Sequence, residues 1–180
     1  MNRQPTLEGP TLRLRPLRPD DWEALYAVAS DPQVWEVHPA NDRWQSEVFR
    51  AFFADALAQG GALVAIDKRS GEIVGSSRFQ GHDPVGGGAV EIGWTFLARS
   101  HWGGAANREM KRLMLEHALA NVERVDFRVG ETNLRSRRAM EKIGGRLSER
   151  DEVVEIAGRP VRHVIYEITR ESFDKGPLAT

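Results

Sequence analysis

The stretch Val90 to Met110, VEIGWTFLARSHWGGAANREM, sets an alternating strand, a turn of small residues and a helix start in direct succession. Such a junction suits one task above others, which is holding an anion. The first amides of a helix lack intrahelical partners, and the helix dipole adds partial positive charge there. Gly103, Gly104, Ala105 and Ala106 would let phosphates approach the backbone closely. The turn therefore reads either as a seat for the pyrophosphate of a nucleotide-like cofactor or as a tight connection that binds nothing. Geometry alone does not separate these two readings.

Other reactive side chains lie on both sides of that turn. Glu91 is on the strand that enters it, on the opposite face from Val90 and Ile92. Asn133 stands where a helix should begin, with Ser136 in its first turn and Arg135, Arg137, Arg138, Lys142 and Arg146 around it. Asparagine is among the best helix N-caps, so a purely structural reading of Asn133 is available. The basic run fits a solvated helix face, with Arg137 and Glu141 spaced as an i,i+4 pair. His117 shares a helical face with Met110, Leu113 and Met114 and reads as a buried structural histidine, whereas His38 and His101 are free to act as bases.

Elements must position these groups. Thr11 to Leu17 reads as a strand that Pro16 places at or near a sheet edge. Asp20 and Glu23 have the spacing of an N-terminal capping pair for a helix with Trp22, Leu25, Tyr26 and Ala29 on one face. Val34 to Asn41 reads as irregular, and a second helix spans about Trp44 to Gln59 before Gly60-Gly61. Strands at Ala62 to Ile66 and Glu72 to Phe79 form a hairpin, and the loop Gly81 to Gly88 follows. In the central strand, Val90, Ile92, Trp94 and Phe96 are predicted on one face, with Glu91, Gly93 and Thr95 on the other. A helix over about Ala105 to Asn121, a strand at Val125 to Val129 and a helix from Asn133 to Gly144-Gly145 come next. Strands at Leu147 to Ile156 and Val161 to Thr169 end the pattern. Only the middle alternates strand, helix, strand, so the order predicts a mixed sheet with helices on both faces and excludes a doubly wound parallel one.

The bulk numbers narrow the function classes. A chain of 180 residues with 41% apolar and 28% charged residues fits a single domain, with a core over about 11–169. With 25 basic against 26 acidic residues, a general nucleic-acid binder is disfavoured. The absence of cysteine removes disulfides, thiolate metal sites and cysteine nucleophiles, and fits a reducing cytoplasmic setting. No segment reads as a signal peptide or as a bilayer span. Gly86-Gly87-Gly88 lacks the downstream lysine and helix of a phosphate loop, so a nucleotide-phosphate enzyme is a weak alternative.

The element order, EIGW with its helix-opening turn, and the Asn-x-x-Ser-x-x-Ala-x-x-x-x-Gly pattern at Asn133 to Gly144 together resemble the GCN5-related N-acetyltransferase (GNAT) superfamily. Within it the chain looks most like the ribosomal-protein N-terminal acetyltransferase (RimJ/RimL-like) branch. The resemblance implies an α/β (α+β) fold with a mixed, mostly antiparallel sheet of about seven strands and a splayed central parallel pair. It implies acetyl-coenzyme A (acetyl-CoA) in the splay, with backbone groups of Phe96, Leu97 and Ala98 along the pantetheine arm. Trp102, Gly103, Gly104, Ala105, Ala106 and Asn107 would bind the pyrophosphate. Ala105 and Asn107 stand where the family usually has smaller residues. Asn133 would touch the cofactor arm, Ser136 would protonate the departing thiolate, and Arg137 or Arg138 would meet the ribose 3′-phosphate. Acetyl transfer needs a neutral amine, so a base must take its proton. Glu91 is the preferred base, His101 and His38 are rivals, and an amide near Leu97 would stabilise the oxyanion. The implied reaction is direct transfer to a primary amine, a protein N-terminus or a small amine, entering between Trp35 to Trp44 and the Gly81 to Gly88 loop. A non-catalytic acyl-CoA-binding module on the same fold is the alternative. Pairing through the C-terminal hairpin edge would give a homodimer.

Overall fold

Short apolar alternations build one sheet across the whole molecule, and a computed structural model describes residues 1–179. The strands are β1 (Leu7–Glu8), β2 (Leu12–Pro16), β3 (Ala62–Asp67), β4 (Ile73–Asp83), β5 (Ala89–Leu97), β6 (Arg124–Gly130), β7 (Arg146–Ile156) and β8 (Arg159–Thr169). The helices are α1 (Trp22–Ala29), α2 (Pro32–Trp35), α3 (Ser46–Gln59), α4 (Ala106–Leu119), α5 (Leu134–Lys142) and α6 (Arg170–Asp174). The sheet runs β1-β2-β3-β4-β5-β6-β8-β7, and every pairing is antiparallel except β5 with β6. The mixed, mostly antiparallel sheet with one central parallel pair is as predicted. Its eighth strand is β1, too short to leave a periodic signal.

Two cores sandwich the sheet. On one face Met110, Met114 and Leu115 of α4 and Met140 of α5 pack on Leu12, Phe79, Val90, Ile92, Val125 and Tyr166. On the other, Leu25 of α1, Trp35 of α2, and Phe49 and Phe53 of α3 pack on Val64 and Phe96. Strand β3 feeds both, with Leu63 and Ala65 in the first core and Ala62 and Val64 in the second. That is why it reads as an unbroken apolar run.

Three local expectations are corrected. Asp21, not the Asp20–Glu23 pair, organises the start of α1: its carboxylate accepts from the Arg18 amide at 2.8 Å and from both terminal nitrogens of Arg15 at 2.8 Å. Asp31-Pro32 opens the short helix α2 instead of an irregular run, with the Asp31 carboxylate accepting from the Gln33 amide at 3.0 Å. In β5 the strict alternation fails at Trp94, whose φ is +52°. The register slips there, so that Arg78 faces Gly93 while Ser76 faces Phe96. One extra residue in a strand reverses the phase of everything after it. Phe96 therefore points into the α3-side core, away from the face that buries Val90 and Ile92.

Candidate active site

The parallel pairing of β5 and β6 covers only Ala89–Glu91 against Arg124–Asp126. Beyond it the two strands part. β6 stays paired to β8 through Gly130, and β5 stays paired to β4 through Leu97. The result is a gap with β5 on one side and β6 on the other, starting next to Glu91 and opening towards the start of α4.

Backbone direction decides what faces this gap. Ala98 donates its amide to Val74 O at 2.8 Å and its carbonyl accepts from the His101 amide at 2.9 Å, while Phe96, opposite Ser76, turns its backbone groups to β4. By the same alternation Leu97 turns its own into the gap. The Leu97 carbonyl accepts from Trp102 Nε1 at 2.9 Å. Of the Phe96 to Ala98 group, only Leu97 has its amide and carbonyl on the gap side.

The turn that follows has the character of an anion seat. A Cβ on Gly103 or Gly104 would meet nothing within 4 Å, and Gly103 needs its positive φ of +69°. The helix proper begins at Ala106, and its N-cap residue Ala105 offers no side-chain bond to the first amides. The amides of Ala106 and Asn107 therefore have no capping side chain. Glu109 fixes the direction of this helix, because its carboxylate accepts from the amides of Thr11 and Leu12 at 2.8 Å and from the Thr11 hydroxyl.

Helix α5 flanks the gap from the β6 side. Asn133, 3% exposed, caps it by accepting the Ser136 amide at 3.2 Å. Replacing Asn133 by alanine should cost about 1 kcal/mol or more of stability, read as a lower urea midpoint with an unchanged slope. Ser136 is half-buried in the first turn and Arg138 is exposed. Arg137 points elsewhere: its Nε donates to Tyr166 Oη at 3.1 Å and its Nη1 to Glu131 O at 3.0 Å. The expected Arg137–Glu141 pair runs through Tyr166, whose hydroxyl donates to Glu141 at 3.2 Å. Arg135 reaches back across the mouth of the gap. Its guanidinium lies 4.4 Å above the Trp102 ring and donates to Val34 O at 3.3 Å. The segment after α2 crosses the same mouth, with Trp35 5.0 Å from Phe96 and Pro39 against Gly130. A Cβ at Gly130 would come within 2.7 Å of Pro39, so only glycine admits this crossing.

Glu91 sits where the pairing ends. Its carboxylate accepts from Arg128 at 3.1 Å (Nε) and 2.8 Å (Nη2), and Arg128 also donates to Glu152 at 2.7 Å. The bond to Glu91 holds the Arg128 guanidinium firmly charged against the cost of its burial. A cavity of about 230 Å³ opens here, lined by Gly81, Glu91, Asp126, Arg128, Glu152 and Ile165. A second hollow of about 420 Å³ lies over α2 and the loop after it, between Pro32, Glu36, Asp42 and Trp44.

The histidines are held by other groups. His38 Nδ1 accepts the Ala40 amide at 2.9 Å, which leaves the proton on Nε2. Burial first, then Arg43, His163 and Arg135, push its pKa down to about 3, so the ring is neutral and a feeble base. His101 bonds Asp67 through Nε2 and Ser100 through Nδ1, both at 2.9 Å. His117 is half-buried and bonds Asn2 O at 2.7 Å, a structural role.

Several polar residues of the site escaped the sequence reading. Lys111 is 2% exposed beneath the gap and donates to Thr95 Oγ1 at 2.5 Å, while its Nζ lies 5.7 Å from the centre of the Phe127 ring. Its signal was present, since Lys111, Met114, Leu115 and Ala118 share one helical stripe. Arg128 belongs to the alternation of β6 on the face opposite Phe127, but no local pattern marks its partner Glu91.

A strand pair that parts beside an open helix N-terminus defines a fold that can receive an elongated, phosphate-bearing cofactor between strands. The family model described as "Acetyltransferase (GNAT) domain" matches residues 11–146, and the chain belongs to that family. It is thus an acetyltransferase of the general GNAT kind, moving acetyl from acetyl-CoA to an amine. No curated protein matches the chain. Among solved structures it is similar to a GCN5-related N-acetyltransferase from Brucella melitensis, with 21% identity, a TM-score of 0.79, and 98% of this chain and 82% of that one covered. It is also similar to Mycobacterium smegmatis RimJ in complex with CoA-disulfide (20%, 0.71, 97% and 90%). A third likeness is to spermidine N-acetyltransferase from Vibrio cholerae in complex with CoA and spermine (16%, 0.67, 92% and 99%). These likenesses concern the fold, and they do not single out the RimJ/RimL branch. Among the described residues no helix is long and apolar enough to cross a membrane.

Proposed function

We propose that this chain transfers acetyl directly from acetyl-CoA to a primary amine, a small amine or a protein N-terminus, within one ternary complex. The single observation behind this is the parting of β5 and β6 beyond Glu91 and Asp126, next to the uncapped start of α4. In this reading the Leu97 backbone groups on the free edge of β5 would hold the pantetheine arm. The turn Trp102 to Asn107 takes the pyrophosphate on its backbone amides, and exposed Arg138 takes the 3′-phosphate. Arg137 already serves Tyr166 and Glu131 O, which favours Arg138 for that contact. The Leu97 amide supports the oxyanion. Trp102 and Arg135, which now meet the Leu97 carbonyl and the Trp102 ring, stand where the arm and pyrophosphate would be held. Acetyl-CoA, when bound, supplies the thioester carbonyl that the amine attacks.

The chain's own groups do the proton work. Glu91 takes the amine proton, directly or through water in the adjoining cavity. Arg128 keeps that carboxylate oriented, and Ser136 gives a proton to the departing thiolate. Asn133 holds the start of α5 so that Ser136 stays in place. The exposed edge of β7, with Leu147 54% and Val153 64% open to solvent, supports pairing with a second copy. The folding unit is taken as one domain working in the cytoplasm.

Initial rates over a grid of acetyl-CoA and amine concentrations test the transfer mode. Intersecting lines are expected, and parallel lines would replace direct transfer with a covalent relay. Ser136→Ala should lower kcat while CoA affinity stays within about twofold, since the serine touches only the leaving sulfur.

A further inference from the structure

The acceptor side of the gap holds two guanidinium groups whose donors are not all bonded. Arg78, on β4, is 2% exposed, and among the described residues only its Nη1 is bonded, to Asp55 at 2.8 Å. Its Nε and Nη2 are buried without any partner. The guanidinium lies 4.6 Å from the centre of the Trp94 ring and 5.6 Å from that of Phe52. Arg43, on the segment crossing the mouth, lies 4.8 Å from the same Phe52 centre and 5.5 Å from that of Trp35. The two cations thus share one ring, at most about 10 Å apart. Among the described residues Arg43 has no hydrogen bond or ion pair. Burial and the neighbouring Arg78 push its pKa down to about 10.

Buried guanidinium nitrogens without acceptors are costly, because each gives up water for nothing. Elsewhere on this sheet face the charges close on themselves. Glu91, Asp126, Glu152 and Glu167 are each paired to Arg128, Arg124 or Arg150. Arg78 and Arg43 face only Asp55 and Asp42, and Asp55 is itself 53% exposed.

Their position relates them to the reaction. Arg78 is directly cross-strand from Gly93, and Gly93 is two residues from Glu91 on the same face of β5. A Cβ on Gly93 would meet Glu91 Oε1 at 3.3 Å, so glycine leaves the floor between Glu91 and Trp94 low. Glu91 and Arg78 thus stand on either side of Gly93 along one face of the sheet.

We infer that the acceptor is an amine carrying an oxyanion close to its nitrogen, as in an amino acid, and that Arg78 and Arg43 receive that oxyanion. This rests on the reading above that the gap is an acetyl-transfer site, and it deepens that reading by naming the acceptor class. Polyamines are disfavoured by the same two cations. Arg78 and Arg43 are specificity-determining residues, since they hold the acceptor without touching the reacting atoms.

Thiol release from acetyl-CoA by the full chain, with matched amines, tests this. The pairs are amino acids against their α-amides, and phosphoethanolamine against ethanolamine. The oxyanion-bearing member is expected to have a kcat/KM about 10-fold higher or more, because charge-assisted bidentate bonds are the strong ones. The pair with the larger ratio tells a carboxylate from a phosphate. That ratio should fall towards one in Arg43→Gln, which keeps much of the side chain's bulk over the Phe52 ring, and in Arg78→Lys, which loses the planar fork. Equal or better turnover of the uncharged members by the parent protein overturns the inference and leaves acetyl transfer standing. An unchanged ratio in both folded variants also overturns it. Absence of release with every amine overturns the transfer reading itself, and the acceptor class falls with it.

Discussion

Lys111→Met should raise the thermal midpoint at pH 6 by about 5 °C or more, and the gain should shrink as pH approaches 10. Lys111 is buried under the gap, and among the described residues it has one hydrogen bond, to Thr95, and no carboxylate partner. Burial alone lowers its pKa from 10.5 to about 7. The sign follows from linkage. Between pH 7 and 10.5 the unfolded chain keeps this proton and the folded chain releases it, so stability rises with pH across that window. At and below pH 7 both forms are protonated and the full cost remains, roughly 5 kcal/mol at most. Methionine removes that cost and forfeits one hydrogen bond of about 1 kcal/mol. Other groups titrate equally in both proteins and cancel from the difference. A difference in midpoint that stays flat from pH 6 to 10, or a variant less stable at pH 6, would contradict the account. Thr95 passes this contact on to Ser77 at 2.8 Å, which ties the cost to the place where β5 turns away from β6.

Glu91→Gln should lower kcat by about 10²-fold or more and leave the Kd for CoA unchanged. The amide keeps the shape and one acceptor for Arg128, but it cannot take a proton from the amine. Its NH2 group then faces the guanidinium, so a modest stability loss of about 1–3 kcal/mol accompanies the change. Arg128→Met is the informative companion. It leaves the carboxylate in place but loosens its orientation, so kcat should fall less than in Glu91→Gln. Turnover unchanged by Glu91→Gln in a folded, CoA-binding protein would remove the glutamate from the chemistry. The rival histidines are poorly placed to replace it, since His38 spends Nδ1 on the Ala40 amide and His101 is bonded at both ring nitrogens.

Periodicity made the sheet legible. Strand alternation located β2 to β8, and the glycine stops after α3 and α5 fell where φ becomes positive, at Gly60 and Gly144. Asn133 was legible as a cap because capping is a local bond between residues three apart. What stayed hidden depends on distant partners. The bulge at Trp94 has no signature in a run of apolar residues, since it is set by the pairing with β4, and missing it put Phe96 on the wrong face. Glu109 reads as an ordinary first-turn acid until β2 is folded against it. Arg43, Arg78 and Arg128 are single arginines among many, and only the folded sheet shows that Arg128 is bonded to two carboxylates while Arg78 keeps two buried nitrogens without an acceptor.

Thiol release from acetyl-CoA, measured with and without amine, tests the central claim most directly. Amine-dependent release is expected, matched mole for mole by acetylated amine, inhibited by coenzyme A and indifferent to ATP. Tight coenzyme A binding with no release for any amine would make this a non-catalytic acyl-CoA-binding module, and release inhibited by ATP as strongly as by coenzyme A would contradict the assignment of the gap between β5 and β6.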